Sequence, residues 1–383
     1  MRIPEWPVYS ARETDLLREV LESGQWGGFN EIVERFERDF AAFQHSRHGI
    51  CAANGTVTLE VALAASGVGA GDEVIVPAIS FISTATAVSR VGALPVFVDI
   101  EPWTFNLDPE RVAAAVTPRT KAIIPVHFGG PMASMDRLMS LAAERGLVLI
   151  EDAAHAHGSE WKGRRAGSLG RAGSFSFQNS KVMTAGEGGL LTSNDDEFAE
   201  KARSLVNQGR LPGRGWFHHF TLATNLRITA FQAAVLTAQL ERLPEQICLR
   251  ARNAKLLLSE VGRVDGLRFQ EVPAEAAVHS YYLLLGRIDA ARFGMPRDEF
   301  HRAVTEAGIP CTPFYPHTLY RNPLYEQGGC RVEPCPVAEA CIGDAFWFPH
   351  RVLMGDEDTT RQIAGAIRRI ADGQAKRPAP RRS

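Results

Sequence analysis

Along the first two-thirds of the chain, short apolar runs rich in Val and Ile alternate with longer stretches of helical spacing. Residues 49–53, 73–77, 95–99, 121–126 and 147–151 predict strands, and 57–65, 84–91, 109–116 and 135–145 predict the helices between them. Strands alternating with helices of this length form right-handed βαβ units and a mainly parallel sheet. The runs Val74-Ile75-Val76 and Leu147-Val148-Leu149-Ile150 are apolar without alternation, as expected of strands covered by helices on both faces. Two more strand-like runs, 174–177 and 190–193, bracket a glycine-rich segment, and a helix over about 229–243 closes a large N-terminal domain of residues 1–247. From Cys248 the texture changes. A long helix, a strand pattern at 280–288, a helix at 297–307 and proline-rich loops predict a smaller α/β domain over 248–372. Residues 373–383 read as a basic flexible tail.

Composition narrows the class. The 383 residues are 45% hydrophobic and 22% charged, ordinary for a folded globular protein. A net charge of −2 provides no global field for nucleic acid or an anionic membrane, and neither is expected as a partner. No stretch supplies the ~20 uninterrupted apolar residues that span a bilayer, and the start, MRIPEWP, has no apolar leader region, so a cytoplasmic location is expected. The six cysteines are scattered and expected to be reduced. Cys330 and Cys335 lack the matching second pair of a zinc site.

In an open parallel sheet, ligands bind beyond the carboxyl ends of the strands, and this rule sorts the candidates. Asn54-Gly55-Thr56 follows the first strand and opens a helix. Its N–H groups, the positive helix end and the Thr56 hydroxyl would cradle a phosphate; taken alone, the triplet is equally an ordinary helix cap. Ser80-Phe81 leaves the second strand at the same edge, where Phe81 would stack on a flat heterocycle or lie in the core. Asp152 follows the strand 147–151 and should project into the crevice, where it needs a basic group, a metal ion or a protonated ring nitrogen beside it. With His155 and His157 it would make only a partial metal site, since no third His or Cys ligand is near in sequence, and no metal is expected. Lys181 lies between Phe175-Ser176-Phe177 and the glycine turn Gly186-Glu187-Gly188-Gly189; on its own it would pass for a surface lysine. Jointly, a phosphate cradle, an aromatic plate, an acid and a lysine match the needs of pyridoxal 5'-phosphate (PLP). The lysine amine would form an imine with its aldehyde, and the acid would keep its ring nitrogen protonated.

These segments resemble the DegT/StrS family of sugar aminotransferases, and the resemblance runs from about Trp6 to Ile370. Its markers are NGT at 54–56, GDEVIVP at 71–77, PVFVD at 95–99, EDAAHAHG at 151–158, FSF at 175–177 with Lys181, GEGG at 186–189 and NLR at 225–227. The resemblance implies the α/β fold type I of PLP-dependent transferases: a mainly parallel mixed sheet sandwiched by helices, with a smaller C-terminal α/β domain. It implies Lys181 as the Schiff-base lysine, Asp152 as partner of the ring nitrogen, Phe81 on the ring face, and Gly55, Thr56 and Ser176 at the phosphate. Asn225 resembles an asparagine that reaches the phosphate from a second subunit, which implies a homodimer with shared active sites. Without the resemblance, Asn225 would be a loop amide turned onto its own backbone.

Two features depart from the usual family pattern. His155 stands where most members have a glutamine against the cofactor's ring oxygen, and an imidazole there makes the contact's charge depend on pH. The ending Phe346-Trp347-Phe348-Pro349-His350-Arg351 also differs. Both resemble the branch that contains scyllo-inosose (cyclitol) aminotransferases and 3-amino-5-hydroxybenzoate synthases. His317 would either face the substrate or be a plain loop histidine. The expected activity is transfer of an amino group from glutamine or glutamate to a ketone on a cyclitol or a nucleotide-linked sugar. A dehydrating, aromatising synthase and a non-catalytic PLP-binding regulator are the alternatives.

Overall fold

The computed structural model describes residues 1–262 and 264–375. Two helices, α1 (Ala11–Ser23) and α2 (Glu31–Phe43), precede the first strand. An eight-stranded sheet follows, with β1 (His48–Ala52), β2 (Glu73–Pro77), β3 (Leu94–Val98), β4 (Thr120–Ile123) and β5 (Val148–Asp152). Beyond a short ladder of β6 (Glu160–Trp161) and β7 (Arg164–Arg165), it is completed by β8 (Ala172–Ser176), β9 (Gly189–Ser193) and a late edge strand. Among the described residues the spatial order is β1-β9-β8-β5-β4-β2-β3 and then that edge strand, Arg331–Val332. The run from β8 to the edge is parallel, and β9 lies antiparallel to both neighbours.

The connecting helices are α3 (Gly55–Ala65), α4 (Ser83–Arg90), α5 (Pro109–Ala115), α6 (Met135–Arg145) and α7 (Asp196–Val206). They cover both faces. Val74, Val76 and Phe97 belong to one buried cluster, while Ile75, Val96 and Val98, their neighbours along the same strands, belong to another. That division accounts for the unbroken apolar runs, because each successive residue has a dry face to fill.

The helix predicted over 229–243 continues without interruption as α8 (Ala230–Val261), through Pro244 and past residue 248. Thr229 and Gln232 form a reciprocal capping box at its start. Proline lacks the N–H of the regular ladder and usually ends a helix. Here Leu243, Gln246, Ile247 and Arg250 are buried around it, and burial against α1, α2 and the closing helix Glu357–Ala375 outweighs one missing bond.

The remaining strands are β10 (Leu267–Phe269), β11 (Leu283–Ile288), β12 (Thr312–Pro313), β13 (Arg331–Val332) and β14 (Ala345–Pro349). A four-stranded sheet in the order β10-β11-β14-β12 surrounds a third core with Leu257, Phe300, Phe346 and Ile363. β13 instead returns to the large sheet and pairs parallel to β3. The strand predicted over 280–288 begins at Leu283, because Tyr281 takes the left-handed conformation (φ 51°) and turns the chain just before it. The expected tail lies outside the described residues apart from 373–375, which end the closing helix. Among the described residues no helix is long and apolar enough to cross a membrane.

Candidate active site

At the carboxyl edge of the parallel strands a cleft of about 840 Å³ opens between the large sheet and the segments around Tyr282 and Tyr315. Two helix starts face it. Asn54 caps α3, its amide oxygen accepting from the N–H groups of Thr56 (3.1 Å) and Val57 (3.0 Å). α4 has no side-chain cap. Thr56 Oγ1 and Ser83 Oγ meet at 2.7 Å between the two starts. A Cβ at Gly55 would lie 2.7 Å from Ser176 Cβ, so only glycine lets α3 begin against the end of β8. The hydroxyls of Thr56, Ser83 and Ser176 and two positive helix ends thus line one end of the cleft, a donor set suited to a phosphate dianion.

Two adjacent acids at the end of β5 have opposite environments. Glu151, fully buried, is satisfied: it accepts from Leu169 N (2.8 Å), Gly170 N (2.7 Å), Gly167 N (2.9 Å) and His127 Nε2 (2.9 Å). His127 Nδ1 accepts from Ala133 N–H, so Nε2 carries the ring proton. Burial pushes the Glu151 carboxyl up, but the hydrogen bond from His127 and those from the backbone outweigh it and hold the carboxyl below its usual range. Asp152 is 6% exposed and, among the described residues, accepts only from Thr84 Oγ1 (2.8 Å) and, weakly, from Ala154 N (3.3 Å). Burial raises its carboxyl above the usual range, against the opposing pull of Thr84 and the Lys181 charge. Glu151 therefore ties the loop 167–170 to the sheet, while Asp152 faces the cleft with lone pairs to spare. A cationic ring nitrogen fits that vacancy in its bonding.

Lys181 lines the same cleft, its Nζ 4.5 Å from the centre of the Tyr282 ring. The opposing acid, the lysine and the phosphate-suited end together fit PLP. His155 also lines the cleft, and its ring lies 4.4 Å from that of Tyr282. Its Nδ1 accepts from Gly129 N–H (3.3 Å), which leaves the proton on Nε2. Burial, followed by the Lys181 charge, holds its pKa well below the usual value. The expected pH-dependent charge at this position is therefore corrected: near neutral pH His155 is a fixed, uncharged N–H donor.

Gly55, Thr56, Phe81, Asp152, His155, Ser176 and Lys181 all line the cleft, and Phe81 stands 58% exposed in its mouth. His157 does not. It is buried against Phe40, Phe175 and Phe177, and its Nε2 donates to the Ser176 carbonyl (3.0 Å). Asn225 is exposed on a loop, its amide oxygen accepting from Arg227 N–H (3.2 Å), so within one chain it does not reach the cleft. His317 bonds the Thr318 carbonyl through Nδ1 (3.0 Å) and is not among the lining residues, whereas Tyr315, two positions earlier, is. Ser83, Thr84, Ser180, Tyr282 and Tyr315 were missed by the sequence reading. The hydroxyl spacing Ser80, Ser83, Thr84 at a helix start was a usable signal. Tyr282 and Tyr315 had none, because they arrive from the other sheet.

The two acids should respond oppositely to removal of charge. A carboxyl whose folded pKa is raised contributes stability below its unfolded pKa and loses it as pH rises through the folded value; a depressed one contributes above its unfolded pKa and loses it as pH falls through the folded value. Asp152→Asn is expected to raise the thermal midpoint of the cofactor-free protein at neutral pH, with the gain shrinking in acid. Glu151→Gln is expected to destabilise it at neutral pH by roughly 1.5–3 kcal/mol or more, the value of a hydrogen bond to a charged group. Thermal melts of both variants from acid to neutral pH check both signs.

The model of the DegT/DnrJ/EryC1/StrS aminotransferase family matches residues 7–368. A 3-amino-5-hydroxybenzoate synthase of Amycolatopsis mediterranei is 41% identical, over 96% of this chain and 97% of that protein. An L-glutamine:2-deoxy-scyllo-inosose aminotransferase of Streptoalloteichus tenebrarius is 39% identical, over 96% and 94%. The crystal structure of a 3-amino-5-hydroxybenzoic acid synthase superposes with a TM-score of 0.91 at 40% identity, covering 98% of this chain and 99% of that one. With the cleft's donor set in place and the match running nearly end to end, the chain belongs to the DegT/DnrJ/EryC1/StrS aminotransferase family.

Proposed function

We propose that this enzyme uses PLP to move an amino group from glutamine or glutamate to a ketone on a six-membered ring, a cyclitol in the first instance. The observation that carries the reading is the pairing across one cleft of a buried, under-satisfied acid, Asp152, with the Lys181 amine. When bound, PLP supplies an aldehyde that bonds to amines and a ring that draws electrons from the bond being broken. Asp152 would hold a proton on the ring nitrogen, and the Thr84 hydroxyl would keep the carboxylate aimed. Lys181 Nζ would hold the aldehyde at rest and, once displaced, move the proton taken from the donor's α-carbon. His155 would donate Nε2–H to the ring oxygen, while Thr56, Ser83 and Ser176 take the phosphate. The cyclitol is favoured by the relative named as a 2-deoxy-scyllo-inosose aminotransferase, whose name also gives glutamine as donor.

A second copy of the chain belongs to the same reading. Trp216, Phe217 and Leu222, on the loop that leads to Asn225, are 58%, 85% and 101% exposed, an apolar patch that a homodimer with shared sites would cover. The six cysteines stand as free thiols, in keeping with a reducing, cytoplasmic setting.

The 41%-identical synthase favours a second reading, in which the same residues serve a dehydrating, aromatising reaction. Product analysis separates the two, because only that reaction creates a new aromatic absorbance. For the first reading, the purified protein is expected to be yellow, and glutamine or glutamate to shift its absorbance to that of the aminated cofactor. A keto-cyclitol should then restore the yellow form. Lys181→Ala should lower turnover by at least ~10²–10⁴-fold, the usual contribution of a positioned proton-transfer group. An unchanged spectrum with both donors would overturn the proposal.

A further inference from the structure

The residues just before Lys181 are held from outside the large sheet. Trp6, in the N-terminal arm, donates its indole Nε1–H to the Asn179 carbonyl at 2.9 Å. His350, at the end of β14, bonds the Ser180 carbonyl through Nε2 at 3.2 Å. A carbonyl can only accept, so Nε2 carries the imidazole proton. The two rings meet edge to face, with centroids 4.4 Å apart at 87°. Tyr282, at the start of β11, places its hydroxyl 2.9 Å from Ser180 Oγ and its ring face under the Lys181 amine. Backbone geometry locks these groups together. His350 N–H donates to the Tyr282 carbonyl, and Leu283 pairs with Pro349 in the adjoining register.

The turn that aims Tyr282 is also specified. Arg250 on α8 is fully buried, without an acidic partner among the described residues, and its Nε donates to the Ser280 carbonyl at 2.7 Å. It thereby fixes the turn in which Tyr281 adopts φ 51° and Tyr282 is aimed at the cleft. Burial, and then the Arg250 charge, hold His350 at a pKa of about 3, so its donor role persists across the physiological range. Arg351, the next residue, donates to the Pro4 carbonyl at 3.4 Å and so fastens the arm that carries Trp6.

We propose that His350 and Trp6 are positioning residues for Lys181: their ring N–H groups pin the carbonyls of the two residues before it, so that the small sheet and the N-terminal arm set where the lysine amine stands. The inference rests on Lys181 being the amine that serves the cofactor. It gives a role to the His350 ending and to the arm just before the matched region, which the cofactor contacts leave unused.

His350→Phe keeps a ring against Trp6 and removes the donor; Trp6→Phe does the same for Asn179; His350→Gln restores an N–H. In the full-length protein freed of cofactor, acylation of Lys181 by an amine-directed reagent, read by peptide mass spectrometry, is expected to be faster in both Phe variants than in wild type. With PLP bound, the rate constant of the donor half-reaction is expected to fall roughly 10- to 100-fold in His350→Phe, the scale of a misplacement of about an ångström, with the donor's half-saturating concentration little changed. Trp6→Phe should lose roughly 2- to 10-fold, the value of one neutral hydrogen bond, and His350→Gln should recover part of the loss. Wild-type labelling and half-reaction rates in both Phe variants would overturn the clamp, as would a loss confined to donor saturation. Should His350→Phe fail to fold, Trp6→Phe decides by the same two readouts. If the wild type itself accepts no amino group, the functional reading fails, while the labelling comparison still reports on the clamp.

Discussion

Asp152 is a carboxylate withdrawn from water and left with too few partners. Its neighbour Glu151 shows what a structural acid looks like at the same strand end: four donors, full burial and a depressed pKa. Asp152 has a hydroxyl, one long backbone contact and an unbonded side that faces the cleft, and burial works against its charge. Such a group destabilises the empty protein and becomes favourable once a cation is placed against it. The remaining site follows from that need. Thr84 holds the carboxylate in direction, the starts of α3 and α4 open onto the same cleft, and Lys181 lines it with them.

The sheet supplies this arrangement through its topology. Parallel strands bring every crossover back to one edge, so that the turns after β1, β2 and β5 open onto a single crevice. The second sheet contributes the rest. Tyr282 and Tyr315 wall the cleft from that side, and α8, running unbroken from one core to the other, carries Arg250 under the Tyr281 turn. The lysine loop thus lies between the two sheets, held from the second by the Tyr282 hydroxyl and the His350 imidazole and from the N-terminal arm by the Trp6 indole.

How much of this was legible in the sequence depended on how local each signal was. The strands 73–77 and 148–152 announced themselves by unbroken apolar runs, and Asp152, Gly55 and Lys181 by their places after strands or before a glycine turn. The length of α8 was hidden because Pro244 is a local stop signal, overridden by packing from three other helices. Tyr282 and Thr84 look ordinary in sequence; their roles come from contacts with residues 102 and 68 positions away. The state of His155 was misread for a related reason. Its neutrality depends on burial and on the Gly129 N–H, neither visible in EDAAHAHG.

The most direct test is to reduce the yellow protein with borohydride, digest it and map the adduct. The account requires the pyridoxyl group to be fixed on Lys181, and requires trapping at that residue to weaken when Asp152 is replaced by Ala. A pyridoxyl group recovered on other lysines, or none recovered at all, would contradict it.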